Sequence, residues 1–460
     1  MMPSPLLVDR RLVLRGAAAT AAVTVPLRAA AQGGADAYLF TISDLHAPYA
    51  RLPALLEAFR SMRAVSTAPA AVLLNGDIFE RGNVVCARSG GAVDWAFLAA
   101  LAAEMPVVVN LGNHETAILD DMVSFLARAD QVGIRVISNL IDKRTGRFFA
   151  PVSDRLGLGG IDVALLGLAA TNPFVYRPPV RETLTFLDTA QFVADALPGA
   201  AADADLQLIM SHAGVGPDKT FIDALPEGAV IQGAHDHVDI NLTHNGVRYI
   251  HGGSWGTKIG ILALRRGSDG IETGYATRTV RPGSGDAALA ALIEDQKAEH
   301  LTEDDTEVLA VLPTAFDMHH SILLATDAMR LAAEADVAMI GHTTFGAPLA
   351  AGPLTRYDFD AFLRFGGGLK VAEVSGETLA AIAARGNQFT AETLDQRTGD
   401  YVHVAELDLS PAETYRFVVN GWTALNQEAY LGTSDLAFED VAELGLKTVV
   451  SAHLAAVFPG

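Results

Sequence analysis

Cysteine, aromatic residues and positive charge are all scarce in this chain. Cys86 is the single cysteine among 460 residues, which excludes an intramolecular disulfide and a metal cluster held by several thiolates. Lysine and arginine total 33 against 54 acidic residues, for a net charge of −21. This balance argues against a broad surface for a nucleic acid polymer. A negatively charged ligand would need a local source of positive charge, which bound metal ions supply.

A long uninterrupted apolar run is also missing near the start of the chain. There, the pair Arg10-Arg11 precedes an alanine-rich stretch that is interrupted by Arg28 and ends in Ala29-Ala30-Ala31. The pattern predicts a twin-arginine signal peptide over residues 1–32, recognised by the twin-arginine export machinery, and a periplasmic or extracellular protein. An amphipathic helix and an uncleaved anchor are the alternatives. The small residues and Arg28 argue against a stable membrane span.

The length exceeds that of one ordinary hydrophobic core, so two domains are expected. Residues 36–282 alternate short apolar runs with helix-like stretches, which is typical of a layered α/β sandwich. Residues 283–303 are predicted to form a linker helix, and residues 304–460 a second, smaller α/β region. The predicted strands of the first region are 38–42, 71–74, 107–109, 208–210 and 229–231, and its predicted helices are 52–63, 93–103 and 188–197. The second region is predicted to contain strands 307–312 and 336–340 and a helix at 321–334.

Five short polar motifs follow the five predicted strands of the first region in order. They are Asp44-Leu45-His46, Gly76-Asp77, Gly112-Asn113-His114-Glu115, Ser211-His212 and Gly233-Ala234-His235-Asp236-His237. Loops beyond the strand ends of an α/β sheet gather at one crevice, so the motifs bring three carboxylate or amide oxygens and four imidazoles together. Two divalent ions need about that many ligands when one carboxylate bridges them. Each motif alone is weak evidence, but the ordered set predicts a binuclear metallohydrolase.

In this order the motifs resemble those of the calcineurin-like metallophosphoesterase superfamily. The second region is similar to the C-terminal domain of the 5′-nucleotidase family at residues 335–338, 351–355, 365–366 and 374–379. The resemblance implies an α/β fold, with an N-terminal four-layer α/β/β/α sandwich followed by a smaller C-terminal α/β substrate domain.

The resemblance also implies a ligand set for two metal ions, with Asp77 bridging them. One ion would be held by Asp44, His46, Asp77 and His237, and the other by Asp77, Asn113, His212 and His235. Oxygen and nitrogen ligands without sulfur suit Mn²⁺, Zn²⁺ or Fe. A hydroxide bridging the two ions would attack phosphorus in line. His114, next to the ligand Asn113, would stabilise the transition state or protonate the leaving oxygen.

A catalytic histidine in this role needs a carboxylate partner. In 5′-nucleotidases an aspartate stands three residues after the histidine, but this chain has Ala117 there. The run from Gly76 to Gly82 resembles a protein phosphatase motif whose second acid orients the histidine and whose arginine contacts phosphate. By that resemblance Glu80 and Arg81 take these roles. The alternative is an exposed ion pair at the start of a helix.

The substrate-binding signature of 5′-nucleotidases is incomplete in the second region. The arginine of the family's substrate loop and the asparagine that reads the base are absent, whereas Phe365 and Tyr430 are candidates for stacking a base. Arg364 is a candidate phosphate contact. Core packing for the two rings and a surface position for Arg364 are the alternatives.

The resulting expectation is an exported dimetal phosphohydrolase for a nucleotide or another small phosphoester. The alternatives are a thiohydrolase of the kind that acts in sulfur oxidation, a cyclic nucleotide phosphodiesterase, and a catalytically silent, metal-bound periplasmic binding protein.

Overall fold

The computed structural model describes residues 34–460, so the predicted signal peptide lies outside the described residues. Two six-stranded sheets face each other in the first domain, in the orders β15-β14-β1-β2-β3-β4 and β12-β13-β11-β10-β8-β7. A small third sheet has the order β6-β5-β9. The strands of the domain are β1 (Ala37–Ser43), β2 (Ala70–Asn75), β3 (Val107–Asn110), β4 (Arg135–Ile137), β5 (Ile141–Asp142), β6 (Arg147–Phe148), β7 (Ser153–Leu158), β8 (Ile161–Leu168), β9 (Leu184–Thr185), β10 (Leu206–Ser211), β11 (Val230–Gly233), β12 (Asp239–His244), β13 (Val247–Gly252), β14 (Lys258–Arg266) and β15 (Ile271–Thr279).

Helices cover both outer faces of this pair of sheets. Apolar side chains fill three layers, one between the sheets, around Leu39 and Leu208, and one beneath each set of helices, around Phe59 and Ile209. The expected α/β/β/α sandwich is therefore confirmed. The helices of the domain are Leu52–Ala64, Val84–Ser89, Ala92–Glu104, Met122–Gln131, Pro178–Arg181, Thr189–Ala200 and Val215–Lys219.

The central strands owe their positions to continuous apolar runs that are buried on both faces. Strand β1 pairs in parallel with β2, and β2 with β3, so that Ser43, Asn75 and Asn110 stand side by side at the ends of the strands. In the facing sheet β10 and β11 are also parallel, with Ser211 beside Gly233. The chain leaves all five strands at the same edge of the sandwich.

The predicted linker helix is present at Ala287–His300, and Asp286 caps it by accepting a hydrogen bond from the Leu289 N–H. Leu289 and Ile293 are buried in the same apolar cluster as the first-domain helices. The linker therefore extends the outer helical layer of the first domain.

The second domain is built on a mixed sheet in the order β17-β22-β20-β23, with two further two-stranded sheets, β16-β19 and β18-β21. Its strands are β16 (Val308–Leu312), β17 (Val337–Ala338), β18 (Ile340–Gly341), β19 (Gly352–Thr355), β20 (Gly368–Ser375), β21 (Val402–His403), β22 (Thr414–Asn420) and β23 (Glu439–Gly445). Its helices are Glu303–Thr306, Met318–Ala332, Arg356–Phe362, Gly376–Ala383, Gly421–Leu425, Gln427–Leu431 and Leu446–Val457.

The prediction of one continuous strand at 336–340 is wrong, because the segment forms two short strands. The chain forms β17, which pairs with β22, and then passes to β18, which pairs with β21 in another sheet. A continuous apolar run cannot reveal this change of partner, because both strands are buried. None of the described helices combines the length and the apolar character that crossing a bilayer requires.

Candidate dimetal active site

The strand ends of the first domain converge on a cluster of predicted metal ligands. Three sets of side chains place their donor atoms within 4.8 Å of one another: Asp44 with His46 and His237, Asp44 with Asp77 and His212, and His46 with Asp77 and His114. Asn113, whose amide oxygen is a further predicted ligand, is buried and lines the same cavity, as does the partly exposed His235. The structure thus brings together all seven predicted ligands.

The backbone of these loops adopts conformations that side chains normally avoid. Five of the seven predicted ligands have positive φ angles: Asp44 (49°), His46 (52°), Asp77 (55°), His235 (76°) and His237 (55°). Left-handed conformations of such residues cost roughly 1–3 kcal/mol each, and they concentrate at functional sites. Their clustering here indicates loops shaped for a ligand.

Two glycines make the close approach of the loops possible. A Cβ atom at Gly112 would lie 2.3 Å from Oδ1 of Asp77, and one at Gly76, where φ is +70°, would lie 2.4 Å from Nδ1 of His212. Each distance is well inside van der Waals contact. The two motif glycines are therefore required by packing.

The two carboxylates lie between the imidazoles. Asp77 Oδ1 is 3.2 Å from His212 Nε2, and its Oδ2 is 3.7 Å from His46 Nε2. Asp44 Oδ1 is 3.8 Å from His237 Nε2 and 3.9 Å from His212 Nε2. The geometry suits the predicted bridging position of Asp77, although the assignment of each ligand to one of two ions stays a prediction.

Three of the imidazoles are held by a partner at their other nitrogen. His212 Nδ1 lies 2.9 Å from the Asn75 carbonyl oxygen, His235 Nδ1 lies 3.1 Å from Asp236 Oδ1, and His46 Nδ1 lies 3.3 Å from Glu80 Oε2. A partner at Nδ1 favours the tautomer whose Nε2 lone pair is free, as metal ligands require.

Several buried atoms that could bind a metal ion have no hydrogen-bond partner among the described residues. They are Asp44 Oδ2, Asn113 Oδ1 and His212 Nε2. Burying such atoms unpaired is costly. Burial alone lowers the pKa of His212, but the neighbouring Asp77 carboxylate reverses this and raises it to about 10. The cluster therefore attracts positive charge, and its oxygen and nitrogen donors fit divalent ions.

A second-domain side chain enters this first-domain site. Arg364 Nη2 lies 2.7 Å from Glu80 Oε2, and both side chains are buried. Burial raises the pKa of Glu80, but the guanidinium of Arg364 together with His114 and His46 outweighs burial and holds it well below its usual range. Arg364 Nη2 also lies 3.4 Å from His114 Nε2, while its Nε and Nη1 have no hydrogen-bond partner in the part of the chain that the structure describes. Arg364, predicted to contact phosphate, is thus at the metal cluster and not on the surface.

Two aromatic rings hold the guanidinium plane. The Arg364 Cζ atom lies 5.1 Å from the centroid of Trp255 and 4.9 Å from that of Phe365. Trp255 also stacks on His46, with ring centroids 5.1 Å apart. The φ angle of Trp255 is +61°, and its backbone N–H donates to the Asp44 carbonyl oxygen over 2.8 Å. Trp255, which the sequence analysis did not single out, therefore contacts both the ligand loop and the arginine.

His114 lies at the edge of the cluster. Its backbone N–H donates to Asp77 Oδ1 over 2.7 Å. The ring atom Nδ1 is buried and has no hydrogen-bond partner among the described residues. Glu80 Oε2, its predicted partner, lies 3.6 Å from that nitrogen and closer to Arg364 and His46. Burial lowers the pKa of His114. The Glu80 carboxylate therefore lies close to Arg364, His46 and His114 at the same time.

A cavity of about 760 Å³ opens over this cluster between the two domains. Phe365, a predicted stacking ring, lines it and is 46% exposed, whereas Tyr430 lines it but is only 4% exposed. The Tyr430 hydroxyl contacts Thr343 and accepts a hydrogen bond from Trp422 Nε1. Trp422 is 36% exposed and lines the same cavity, so it offers the more accessible ring on that side.

Arg81 is not brought to the site. Its side chain is exposed and does not line the cavity, because the chain turns away after Glu80. The partner of Glu80 is Arg364, so the alternative of an exposed Glu80–Arg81 pair does not describe the structure either.

Polar residues lie beneath the ligands, and sequence reasoning missed two of them, Asn75 and Asn110, whereas Glu115 belongs to a motif quoted above. Asn75 donates to carbonyl oxygens of the opposite sheet, and Asn110 donates to Asn75 Oδ1 over 2.8 Å. Glu115 is buried and accepts hydrogen bonds from the Ile78 and Gly112 N–H groups. The available signal was an asparagine closing an otherwise apolar strand, which in a buried sheet demands hydrogen-bond partners.

Two facing six-stranded sheets with a nitrogen and oxygen donor set at one edge, completed by a smaller α/β domain, define a two-domain metallophosphoesterase. A family model described as calcineurin-like phosphoesterase matches residues 39–254, and one described as 5′-nucleotidase, C-terminal domain, matches residues 309–403. The chain belongs to the calcineurin-like phosphoesterases of the 5′-nucleotidase type, which are metal-dependent hydrolases of phosphoester bonds. The resemblance stated from the motifs is confirmed.

Known proteins share this architecture at low sequence identity. The chain is similar to the uncharacterized metallophosphoesterase YunD of Bacillus subtilis, with 23% identity over 83% of this chain and 88% of that protein. Among solved structures, a 5′-nucleotidase precursor from Thermus thermophilus matches with a TM-score of 0.59 and 19% identity over 92% of this chain and 96% of that one. The sulfate thiohydrolase SoxB of Thermus thermophilus matches with a TM-score of 0.63 and 16% identity, over 92% of this chain and 95% of that one. These structural matches establish the fold.

Proposed function

We propose that the protein hydrolyses a phosphate ester of a nucleotide or a similar small molecule in the cavity between its domains. The observation that carries this proposal is the meeting of three features in one cavity. They are the cluster of metal donors, the neighbouring His114, and a buried arginine with two unpaired donor groups.

Two divalent ions, for which Mn²⁺, Zn²⁺ and Fe are the candidates, fit the donors of Asp44, His46, Asp77, Asn113, His212, His235 and His237. Such ions, when bound, neutralise phosphoryl oxygens and lower the pKa of a bound water so that it can attack phosphorus.

Arg364 binds the phosphoryl group of the substrate. Its Nη2 faces Glu80, so Nε and Nη1 are the donors that remain for ligand oxygens. A guanidinium with a fixed plane presents each of these N–H groups to phosphate oxygens in a fixed direction. The stack between Trp255 and Phe365 supplies that fixed plane.

His114 donates a proton or a hydrogen bond to the reacting ester. Burial lowers its pKa, which makes the protonated ring a stronger acid toward the ester oxygen, while the neutral ring can still donate its one N–H in a hydrogen bond. The 3.4 Å contact with Arg364 Nη2 keeps the ring beside the phosphate-binding guanidinium. General acid catalysis of this kind contributes roughly 10²–10⁴-fold to the rate.

The organic part of the substrate lies against the exposed rings. Phe365 and Trp422 both line the cavity with accessible faces. Stacking on such rings is worth roughly 1–3 kcal/mol per base and tolerates any base. Since the family's base-reading asparagine is absent, we expect little discrimination among bases.

The proposal is tested by hydrolysis assays on the purified protein supplemented with Mn²⁺. The panel contains AMP, UDP-glucose, 2′,3′-cyclic AMP, bis-nitrophenyl phosphate and a protein thiosulfonate. We expect turnover of a phosphoester that is lost in Asp77→Ala and reduced about 10²–10⁴-fold in His114→Ala. Arg81→Ala is the matched control, because Arg81 is charged, near in sequence and outside the cavity.

Each contrary outcome has a definite meaning. Turnover of the thiosulfonate alone would replace the phosphohydrolase by a thiohydrolase. Absence of turnover with every compound, in protein shown to hold two metal ions, would favour a binding protein.

We further propose that residues 1–32 direct export by the twin-arginine route to the periplasm or beyond the cell. Replacing Arg10 and Arg11 by lysine should leave the protein in the cytoplasmic fraction of cells. Export that persists in this variant, as judged by fractionation, would contradict the route.

A further inference from the structure

We propose that Lys219 and Arg385 form a second anion-binding subsite in the cavity. The substrate would then carry a phosphate or carboxylate group in addition to the phosphoester that is cleaved. This inference rests on the proposed function, since it concerns the substrate of the same cavity.

The two cations come from different domains and meet across the cavity. Lys219 ends the first-domain helix Val215–Lys219, and Arg385 follows the second-domain helix Gly376–Ala383. Both side chains line the cavity that also contains the metal cluster. A ligand held by both would bridge the domains.

Neither cation has a carboxylate partner among the described side chains, which leave out that of Glu443. Arg364, the other cavity-lining cation, is paired with Glu80, whereas no described aspartate or glutamate side chain approaches Lys219 or Arg385 within 4.0 Å. In a chain with 54 acidic and 33 basic residues, unpaired cations facing a cavity need an explanation.

Main-chain oxygens position the two side chains without neutralising them. The Lys219 ammonium donates to the carbonyl oxygen of Arg397. Arg385 Nη2 donates to the Ala429 carbonyl oxygen over 2.6 Å, and its Nε is buried without a hydrogen-bond partner within the described residues. Burial lowers the pKa of both groups. Asp395 partly opposes this at Lys219 and Asp400 at Arg385, whereas Arg385 lowers the pKa of Lys219 further. A bound anion would relieve this repulsion.

Asp395 and Asp400 act on Lys219 and Arg385 from beyond ion-pair distance, and two further acidic groups near the subsite are engaged elsewhere. Asp236 accepts hydrogen bonds from the Val215 N–H and from His235. Asp218 accepts hydrogen bonds from Ser211 and Tyr249. Asp400 also lines the cavity but lies beyond ion-pair distance of both cations.

The position of Lys219 along its helix gives an approximate separation from the Asp236 contact. The Val215 N–H donates to Asp236, which neighbours the predicted ligand His235. Four residues of helix advance about 6 Å, so Lys219 lies roughly one helical turn beyond this contact. A second phosphate or carboxylate on the same small molecule can span such a distance.

The test compares substrates that differ only in the second anion. Adenosine 3′,5′-bisphosphate is compared with AMP, and carboxyphenyl phosphate with phenyl phosphate. We expect kcat/KM to be about tenfold or more higher for at least one doubly anionic compound than for its partner. The pair that shows this preference identifies phosphate or carboxylate as the second group.

Variants then assign the preference to the two residues. Lys219→Met and Arg385→Gln should bring the ratio of the two kcat/KM values close to one, mainly by raising KM for the doubly anionic compound. Lys219→Arg should restore the ratio, because it keeps the charge. Arg356→Gln, which removes an exposed second-domain arginine outside the cavity, should leave it unchanged.

Equal kcat/KM values within both pairs, or a ratio that survives in both neutral variants, would overturn the subsite while leaving the proposed function intact. Absence of turnover with all compounds would instead count against the proposed function. In that case, calorimetric binding of adenosine 3′,5′-bisphosphate that is equally tight in wild type and Lys219→Met would overturn the subsite independently.

Discussion

Arg364 of the second domain forms a buried ion pair with Glu80 of the first domain, with 2.7 Å between Nη2 and Oε2. The same carboxylate lies 3.3 Å from Nδ1 of the predicted ligand His46. Docking of the second domain and assembly of the metal cluster are therefore coupled through one side chain. Because removal of one member of a buried pair leaves an uncompensated charge, the pair can be examined through both stability and activity.

Arg364→Met should lower kcat/KM about 10²–10³-fold, since a charge-stabilising donor is lost. It should also lower the free energy of unfolding by about 3–5 kcal/mol because Glu80 stays buried and unpaired. The double variant Glu80→Gln with Arg364→Met should regain most of the stability but not the activity. Steady-state kinetics and denaturant unfolding measure the two effects.

The matched control for this pair is Arg356→Met, whose partner Glu307 lies in an exposed ion pair. Its effect on stability should be below about 1 kcal/mol, with unchanged kcat/KM. Equal losses of stability in the two single arginine variants would contradict the argument from burial.

Trp255→Phe should lower kcat/KM roughly tenfold. The smaller ring covers less of the Arg364 guanidinium and of the His46 imidazole, and contacts of this type are worth roughly 0.5–2 kcal/mol. Trp95→Phe makes the same change in the first-domain core, where Trp95 packs against Phe79 and Phe125. That variant should keep its kcat/KM, so a similar fall in both would assign the effect to general loosening.

Gly112→Ala should abolish activity and weaken metal binding, because the new Cβ would lie 2.3 Å from Asp77 Oδ1. Metal content after dialysis and turnover are the measurements. Gly199→Ala is the control, since no atom lies within 4 Å of its new Cβ. A Gly112→Ala protein with normal metal content and turnover would show that the loops are less tightly packed than the structure indicates.

Removal of metal should lower the thermal stability of the protein. Ions that bind only the folded chain stabilise it by about 2.7 kcal/mol at a free concentration of 100 times Kd. Thermal unfolding with EDTA, and again after addition of Mn²⁺, should show a fall and a recovery of Tm. Asp77→Asn should respond less than the wild type, and a wild type indifferent to EDTA would argue against resident ions.

The stability of the protein should fall between pH 4 and pH 8 through Asp94. Burial raises the pKa of Asp94 from 3.8 to about 7, although the Tyr49 hydroxyl, which donates to it over 2.8 Å, partly opposes the shift. In this interval the folded chain retains a proton that the unfolded chain releases, so stability is lost as pH rises. The loss amounts to about 4 kcal/mol.

Asp94→Asn removes this titration. The difference in unfolding free energy between wild type and Asp94→Asn should therefore shift by about 4 kcal/mol in favour of the variant from pH 4 to pH 8. Denaturant titrations at the two pH values measure it. A difference independent of pH would mean that Asp94 ionises normally.

Local patterns predicted the elements that depend on local information. The five strands that precede the motifs are all present, because short continuous apolar runs are typical of strands that are buried on both faces of a sheet. The second-domain run at 336–340 was wrongly predicted as one strand. Nothing in its composition marks the point at which the pairing partner changes from β22 to β21. Arg81 and Glu80 are adjacent in sequence, yet only Glu80 turns inward.

By itself, the sequence determined the first-domain strands, the edge at which they end, and the nitrogen and oxygen donors carried to that edge. Strand ends and the residues that follow them are properties of short segments. The tertiary structure alone decided that Arg364 pairs with Glu80, that Trp255 covers both Arg364 and His46, and that Lys219 and Arg385 share a cavity. Those relationships join the two domains, and their energies depend on burial and distance, which no local pattern of residues encodes.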